Sequence, residues 1–554
     1  MLEMQDAGTR AADLANSPMY LRPDVKMEPL FCGWLAWPHL LSPVQAAMNV
    51  AFRYLPLLQS FVANPRLHIA ATKDPRLFGG PFVHLSSADV PHVRELITTI
   101  QHRFSRMLRL ADDFKRFDLE LQESAKGFSL DDAYSRIPPS LAGMVELVYD
   151  LNNHPRISLI EELLYAEYGD DLRKDVQQIS LCAVRESERD FFMSTPRLKT
   201  AGALTLCTEY SNPALDILTS MWQQPVSLRE LEHRLGVADL AQNHGHLFTA
   251  TPAPRDRPDY AGDGVRLRYF GHACVLIQTA TTTLLIDPTF ASEPAGADGL
   301  SACKRFTLGD LPDTIDYLIL THGHQDHFSP EMLLQIRSRV RKVLIPTNNR
   351  GSLVDPSLKL ILAELGFFDV ISLGYFSRVP FDEGELVSIP FAGEHADLEV
   401  YSKQSVFVRV KGRKLLFLAD SDGRDAALYR RIAAQIGLGA EHGLDALFLG
   451  MECHGAPLTW LYGPLLNKPL SRRDDESRRL SGSNCERAVN IIRQFSCARV
   501  YVYAMGQEPW MRYVMGLEYE PDSVQLQESA RLVEYCRSER MICERLYGSR
   551  EILL

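Results

Sequence analysis

The chain has 554 residues and a mass of 62.5 kDa, more than one ordinary hydrophobic core accommodates, so two domains are expected. With 46% hydrophobic and 23% charged residues it has the composition of a soluble globular protein, and no apolar run is long enough to span a bilayer. A net charge of −11 and a pI near 5.8 argue against a nucleic-acid enzyme, which needs an excess of Lys and Arg to offset phosphates.

The N-terminus, Met1-Leu2-Glu3-Met4-Gln5-Asp6-Ala7, carries acids where a signal peptide carries bases and has no apolar centre, which predicts a cytoplasmic protein. Ten cysteines, scattered from Cys32 to Cys543 without a C-x-x-C pair, predict reduced thiols rather than a disulfide framework. Residues 1–250 are mixed and mostly helical. From His92 to Ala125 apolar residues keep helical spacing, which predicts one long amphipathic helix; Leu141–Leu151 and Ser158–Tyr168 are predicted as two more. Residues 251–264 contain Pro252, Pro254 and Pro258 and then Gly262 and Gly264, the composition of an extended linker.

Beyond the linker, residues 265–554 change to short strands. Val265–Tyr269, Cys274–Gln278, Thr282–Ile286, Tyr317–Leu320, Lys342–Ile345, Leu386–Ile389, Ser405–Val410, Lys414–Leu418, Leu444–Leu449 and Arg499–Tyr503 are predicted, with Lys411-Gly412 turning one hairpin. A helix over Asp425–Ile436 and another through Ala488–Phe495 fall between them, the second opened by a capping box of Ser483 with Glu486. Strands alternating with helices, together with hairpins, predict a layered α/β domain.

Chemistry concentrates in Thr321-His322-Gly323-His324-Gln325-Asp326-His327, at the end of the apolar run Tyr317–Leu320. His322 and His324, two apart in extended chain, point the same way and can hold one metal; Asp326 and His327 follow where the chain turns and can reach a second. A strand ending at Ala419 delivers Asp420, a carboxylate suited to bridging two metals, while Asp422 is either a further ligand or a turn residue before Gly423. Phe391–Asp397 offers Glu394 and His395, of which extended chain would let only one face the metal. Asp287 suits an outer carboxylate that orients an imidazole. His272 and His454 are each either ligands or pocket histidines, and the basic run Ser471-Arg472-Arg473 with Arg478-Arg479 is a solvated loop or a docking patch.

His322-x-His324-x-Asp326-His327, with Asp287 upstream and Asp420 downstream, resembles the metallo-β-lactamase superfamily. Within it the chain is similar to the diiron β-hydroxylases of the chloramphenicol-biosynthesis type. That likeness rests on Leu21-Arg22-Pro23-Asp24-Val25, Glu28-Pro29-Leu30, Trp34–Leu40 and Gly79-Gly80-Pro81-Phe82. It rests also on Gly393-Glu394-His395-Ala396-Asp397 and Tyr503-Ala504-Met505-Gly506-Gln507-Glu508-Pro509-Trp510. The resemblance implies an αββα fold at the C-terminus and, over 1–250, a helper domain that covers the site and supports a homodimer. Glu394 matches the position where ordinary superfamily members use a histidine, and a metal-binding His expected after the last strand is replaced by Tyr503-Ala504-Met505-Gly506.

The implied activity is an O2-dependent monooxygenase with two iron ions that hydroxylates the β-carbon of an amino acid held on a nonribosomal peptide synthetase carrier domain. His322, His324 and Glu394 would hold one iron, Asp326 and His327 the other, and Asp420 would bridge; Glu394 and Asp420 are also the expected catalytic residues. No flavin or nicotinamide motif is present, so electrons would come from an external reductase or ferredoxin. The rivals are a zinc- or manganese-dependent hydrolase on the same fold and a non-catalytic docking protein with a degenerate site.

Overall fold

The computed structural model describes residues 13–183, 189–200, 202–291, 303–438 and 443–554; the stretch Met1–Ala7 lies outside them. Among the described residues no helix is long and apolar enough to cross a membrane.

The N-terminal part is mixed. Val25–Phe31 pairs antiparallel with Gln177–Ala183, which pairs in turn with Leu204–Cys207, so a small sheet joins distant parts of the chain. The predicted helix over 92–125 is two, Val90–Arg103 and Ser105–Ser124. The break is at Phe104 (φ −102°, ψ 15°), whose buried ring stands edge-on to Phe31 at 5.6 Å. The hydrogen bonds around it persist, so the bend leaves the apolar periodicity intact and invisible in sequence.

The helix predicted over 141–151 is instead the strand Val145–Tyr149, paired with Pro155–Leu159; the following helix starts only at Glu161. Asp150 decides this, because its carboxylate accepts the backbone N–H groups of Asn152 (2.8 Å) and His154 (2.9 Å) and closes a turn that competes with helix.

The C-terminal part is a sandwich of two seven-stranded sheets. The first runs, edge to edge, Val370–Leu373, Val340–Pro346, Ile315–Ile319, Thr283–Ile286, Cys274–Gln278, Arg266–Gly271 and Arg550–Leu553. The second runs Arg378–Phe381, Gly384–Ile389, Ser405–Val410, Arg413–Phe417, Ala446–Gly450, Arg499–Tyr503 and Ile542–Arg545. Ten of the fourteen strands overlap those predicted; the four others are short and lie at or next to sheet edges, where apolar signal is weak.

Alternation sets the layers. Leu415 and Phe417 point between the sheets with Val275, Ile286 and Leu344, whereas Leu416 and Leu418 point outward to Tyr429, Ile432, Ile491 and Leu532 on helices. The outer face of the first sheet packs on Leu333, Ile361 and the N-terminal part through one continuous apolar cluster. The order is helices, sheet, sheet, helices, the αββα arrangement. One cap differs from expectation: Asn484, not Ser483, caps the helix Cys485–Phe495, while Ser483 accepts the N–H of Gly423.

A buried ion cluster locks the two parts together. Arg189 donates to Glu28 at 2.7 Å and to Glu331 at 2.6 Å, and lies 3.7 Å over the Tyr513 ring. Removing one member of a buried charge network leaves the others unpaired, so Arg189→Ala is expected to cost about 3–5 kcal/mol. Chemical denaturation of the variant beside the parent measures it; an unchanged midpoint would mean the two parts are held by apolar contact alone.

Candidate metal centre

The site forms at the ends of parallel strands, where backbone direction reverses and side chains converge. Thr283–Ile286 and Ile315–Ile319 run parallel in one sheet, and Arg413–Phe417, Ala446–Gly450 and Arg499–Tyr503 in the other. Their C-terminal ends deliver Asp287, Thr321–His327, Asp420, Glu452 and Ala504. Two loops complete the ring: the turn after Gly271 brings His272, and the loop after Ile389 brings Glu394.

Seven non-glycine residues here have left-handed backbone: His272 (φ 49°), Asp287 (41°), Glu394 (69°), Ala396 (52°), Asp397 (58°), Ala419 (47°) and Ala504 (52°). Each costs on the order of 1–3 kcal/mol and persists only where surrounding packing enforces it. Gly393 shows how close that packing is, since a Cβ there would sit 2.5 Å from the Cβ of Asp422. The glycine lets the Glu394 loop lie against the loop that carries Asp420.

All six sequence-predicted site residues meet. Ligand atoms of His322, His324 and Glu394 lie within 4.8 Å of one another, as do those of His322, His327 and Asp420 and those of His272, Asp326 and His327. His324 Nδ1 is 2.6 Å from Glu394 Oε1, and His327 Nε2 is 3.0 Å from Asp420 Oδ2. His272, left open between ligand and pocket residue by the sequence, stands with Nε2 3.1 Å from Asp326 Oδ2. The shared histidines make the three groups one continuous patch.

Asp287 is fully buried and takes hydrogen bonds from Thr321 N (2.8 Å), Thr321 Oγ1 (2.6 Å) and His327 Nδ1 (2.8 Å). Anchoring Nδ1 turns His327 Nε2 toward Asp420, the arrangement by which a carboxylate orients a ligand imidazole. Burial opposes charge on His327, but Asp420, Asp326 and Asp287 outweigh it and hold its pKa well above the ordinary value. Burial drives His322 well below its own. For Glu394, burial is outweighed by His324 and His395, which keep the carboxyl ionised far below the usual range.

A metal fits this constellation. His322 Nε2 and Asp420 Oδ1 are buried and have no hydrogen-bond partner, although buried polar atoms are almost always paired. They converge on one patch, and the donors are nitrogen and oxygen without sulfur, a set for iron, zinc or manganese rather than a soft ion.

One local expectation is corrected, and two open alternatives are resolved. Residues 393, 394, 396 and 397 are left-handed rather than extended, so Glu394 and His395 both face the site. His395 stacks on His324 at 4.5 Å with its Nδ1 2.7 Å from Glu394 Oε2, and thus backs the carboxylate. Asp422 points away, held by Arg424 (2.5 Å) and Arg487 (2.9 Å), and His454 is exposed.

A cavity opens on the patch, with His324, Asp326, Glu394 and Asp420 at its floor and Phe192, Trp460, Leu461 and Met515 among its walls. Sequence reasoning missed Glu452, which also lines it; its one signal is a position just past a buried strand, like that of Asp420. The N-terminal part also reaches the metal patch from a second, smaller cavity lined by His39, His324 and His395. His39 packs between Trp37 and Tyr462, and burial pushes its pKa down to about 3, so the ring is neutral.

Residues 20–252 match the family described as Diiron non-heme beta-hydroxylase N-terminal domain, and residues 266–370 match the Beta-lactamase superfamily domain. The 4-amino-L-phenylalanyl-[CmlP-peptidyl-carrier-protein] 3-hydroxylase of Streptomyces venezuelae is 36% identical over 542 residues, 96% of this chain and 99% of that protein. The crystal structure of CmlA, a diiron beta-hydroxylase from Streptomyces venezuelae, superposes with a TM-score of 0.88 at 34% identity, covering 97% of this chain and all of that one. A metal-dependent hydrolase of Sinorhizobium medicae is 35% identical over only 63 residues, 11% of this chain and 24% of that protein. With likeness extending across both parts of the fold, the chain belongs to the diiron non-heme β-hydroxylase family.

Proposed function

We propose that this chain is an O2-dependent monooxygenase that uses two iron ions to hydroxylate the β-carbon of an aminoacyl group tethered to a nonribosomal peptide synthetase carrier domain. The observation that carries the reading is Glu394: a carboxylate, not an imidazole, completes the group formed with His322 and His324. Replacing nitrogen by anionic oxygen makes a harder, more electron-donating site, which favours iron over zinc. His322, His324 and Glu394 would hold one iron and Asp326 and His327 the other, with Asp420 placed to serve both. His272, beside Asp326, joins the second group.

Bound iron supplies the activation of O2, one atom of which enters the product while the other leaves as water, with two electrons and two protons consumed. The protein's own residues set the conditions. Asp287 fixes the His327 ring, His395 backs Glu394, and the apolar walls around Trp460 and Phe192 exclude water from the floor. Ala504, in the stretch Tyr503–Gly506 where the late histidine of related hydrolases is missing, lines the cavity with Asp326 and Asp420.

The partners belong to the same proposal: a carrier domain that brings the substrate, a reductase or ferredoxin that brings electrons, and a second copy of the chain. The site is cytoplasmic, where those partners act. Residues 1–250 serve as the cover and dimer-forming helper, 251–264 as linker and 265–554 as metal domain. The change between family matches at residues 252 and 266 supports that division.

Protein from iron-supplemented cells is expected to hold about two irons per chain, as the oxygen-rich ligand set implies. Elemental analysis alongside an optical spectrum tests this. Two zincs, with activity restored by zinc alone, would establish the hydrolase alternative instead.

A further inference from the structure

One acid in the cavity is left without a role by the ligand assignment. Glu452 lines the same cavity as Asp326 and Asp420 but falls in none of the three clustered groups. Its Oε1 accepts from Gln525 Nε2 at 2.8 Å and its Oε2 from the Tyr519 hydroxyl. Each carboxylate oxygen keeps capacity for a second hydrogen bond.

Among the described residues that line this cavity there is no Lys or Arg, so Glu452 has no cationic partner there. Burial, with Asp420 and Asp326 adding to it, pushes its pKa up to about 7. A partly buried carboxylate in that position is stabilised by a cation that enters beside it. Gly482 lines the same cavity and packs on the backbones of both acids, where a Cβ would stand 3.1 Å from the Asp420 carbonyl oxygen and 3.7 Å from that of Glu452.

We infer that Glu452 binds the α-ammonium group of the aminoacyl substrate. This rests on the reading of that substrate as a carrier-tethered amino acid. Every aminoacyl thioester carries one ammonium at Cα whatever its side chain, and Cβ is only two bonds from that nitrogen. A charge-assisted hydrogen bond from the ammonium to Glu452 therefore positions Cβ over the patch formed by Asp326 and Asp420, while the side chain takes the apolar walls. Tyr519 and Gln525 hold the carboxylate in place. Glu452 is on this account a specificity residue that distinguishes a free amine from an uncharged acyl group.

The test compares binding of matched carriers to iron-loaded protein and to Glu452→Gln, by calorimetry. The probes are amide-linked phenylalanyl and 3-phenylpropionyl carriers, and leucyl and 4-methylpentanoyl carriers, each pair differing only in the ammonium group. The parent is expected to bind the amine-bearing member about 10- to 100-fold more tightly, the range of a hydrogen bond to a charged group. In Glu452→Gln that ratio is expected to fall to about threefold or less, with iron content and melting temperature unchanged. Equal binding of the two members by the parent overturns the inference without the variant, as does a ratio that survives Glu452→Gln. Loss of iron in the variant would make Glu452 a support of the metals instead and overturns it too. Failure of every carrier to bind would strike the carrier reading itself, and the inference with it.

Discussion

Glu394→Ala is expected to strip iron from the protein and abolish hydroxylation, whereas His395→Ala is expected to retain iron and lose only part of the activity. Glu394 presents a buried carboxylate to the group formed with His322 and His324. Its loss removes an anionic donor and leaves two imidazoles facing an empty corner. His395 reaches the same corner but acts on the carboxylate, 2.7 Å from Oε2, and on the His324 ring. Groups that only support a ligand typically cost about 10- to 100-fold in metal affinity when removed, so Glu394→Ala is expected to exceed about 100-fold. Metal analysis of both variants decides between the two side chains. If His395→Ala loses the metal and Glu394→Ala keeps it, the ligand is the imidazole and the argument from a harder donor set fails.

That pair also shows where sequence stops informing. Alternation in extended chain allows only one of two neighbours to face a site, and the rule is sound for strands. At 393–397 it does not apply, because four of five residues are left-handed, a conformation that Glu394 and Ala396 do not advertise. The run His322–His327 was legible because a polar, histidine-rich string follows the apolar run Tyr317–Leu320, and residue spacing alone puts its members within reach of one another. The sandwich was legible for the same reason: its central strands carry apolar runs such as Cys274–Ile277, in a strand buried at every position. The N-terminal part was harder. Its sheet pairs Val25–Phe31 with Gln177–Ala183 across some 150 residues, and nothing local specifies such a partner. Asp150 and Phe104 changed the local structure through one turn and one ring contact, against a periodicity that suggested helix. Glu452 was passed over because a lone acid after a strand has no motif; only the cavity gives it a context.

The second large effect concerns the form of the substrate. Turnover is expected only with an aminoacyl group loaded on a carrier domain, in the presence of O2 and a reductant, and the loaded carrier should gain the mass of one oxygen atom. A free amino acid offers little surface, and the cavity floor lies beneath walls supplied by both parts of the chain, with Phe192 from one and Trp460, Leu461 and Met515 from the other. A substrate on a long arm can reach such a floor while its carrier stays outside. Contacts made by the carrier then supply binding energy that a free amino acid lacks, and that energy can hold Cβ in position. Effective molarities for well-positioned reactants reach about 10⁵ M and above, so a disadvantage of at least about a thousandfold for the free amino acid is a modest expectation. Intact-protein mass spectrometry of the loaded carrier, before and after reaction, gives the result directly. Equal rates with the free amino acid would remove the carrier from the reaction. Loss of the acyl group in place of a gain of oxygen would show that the site activates water rather than O2, and would return the ligand set of His322, His324, Asp326, His327, Glu394 and Asp420 to hydrolytic chemistry.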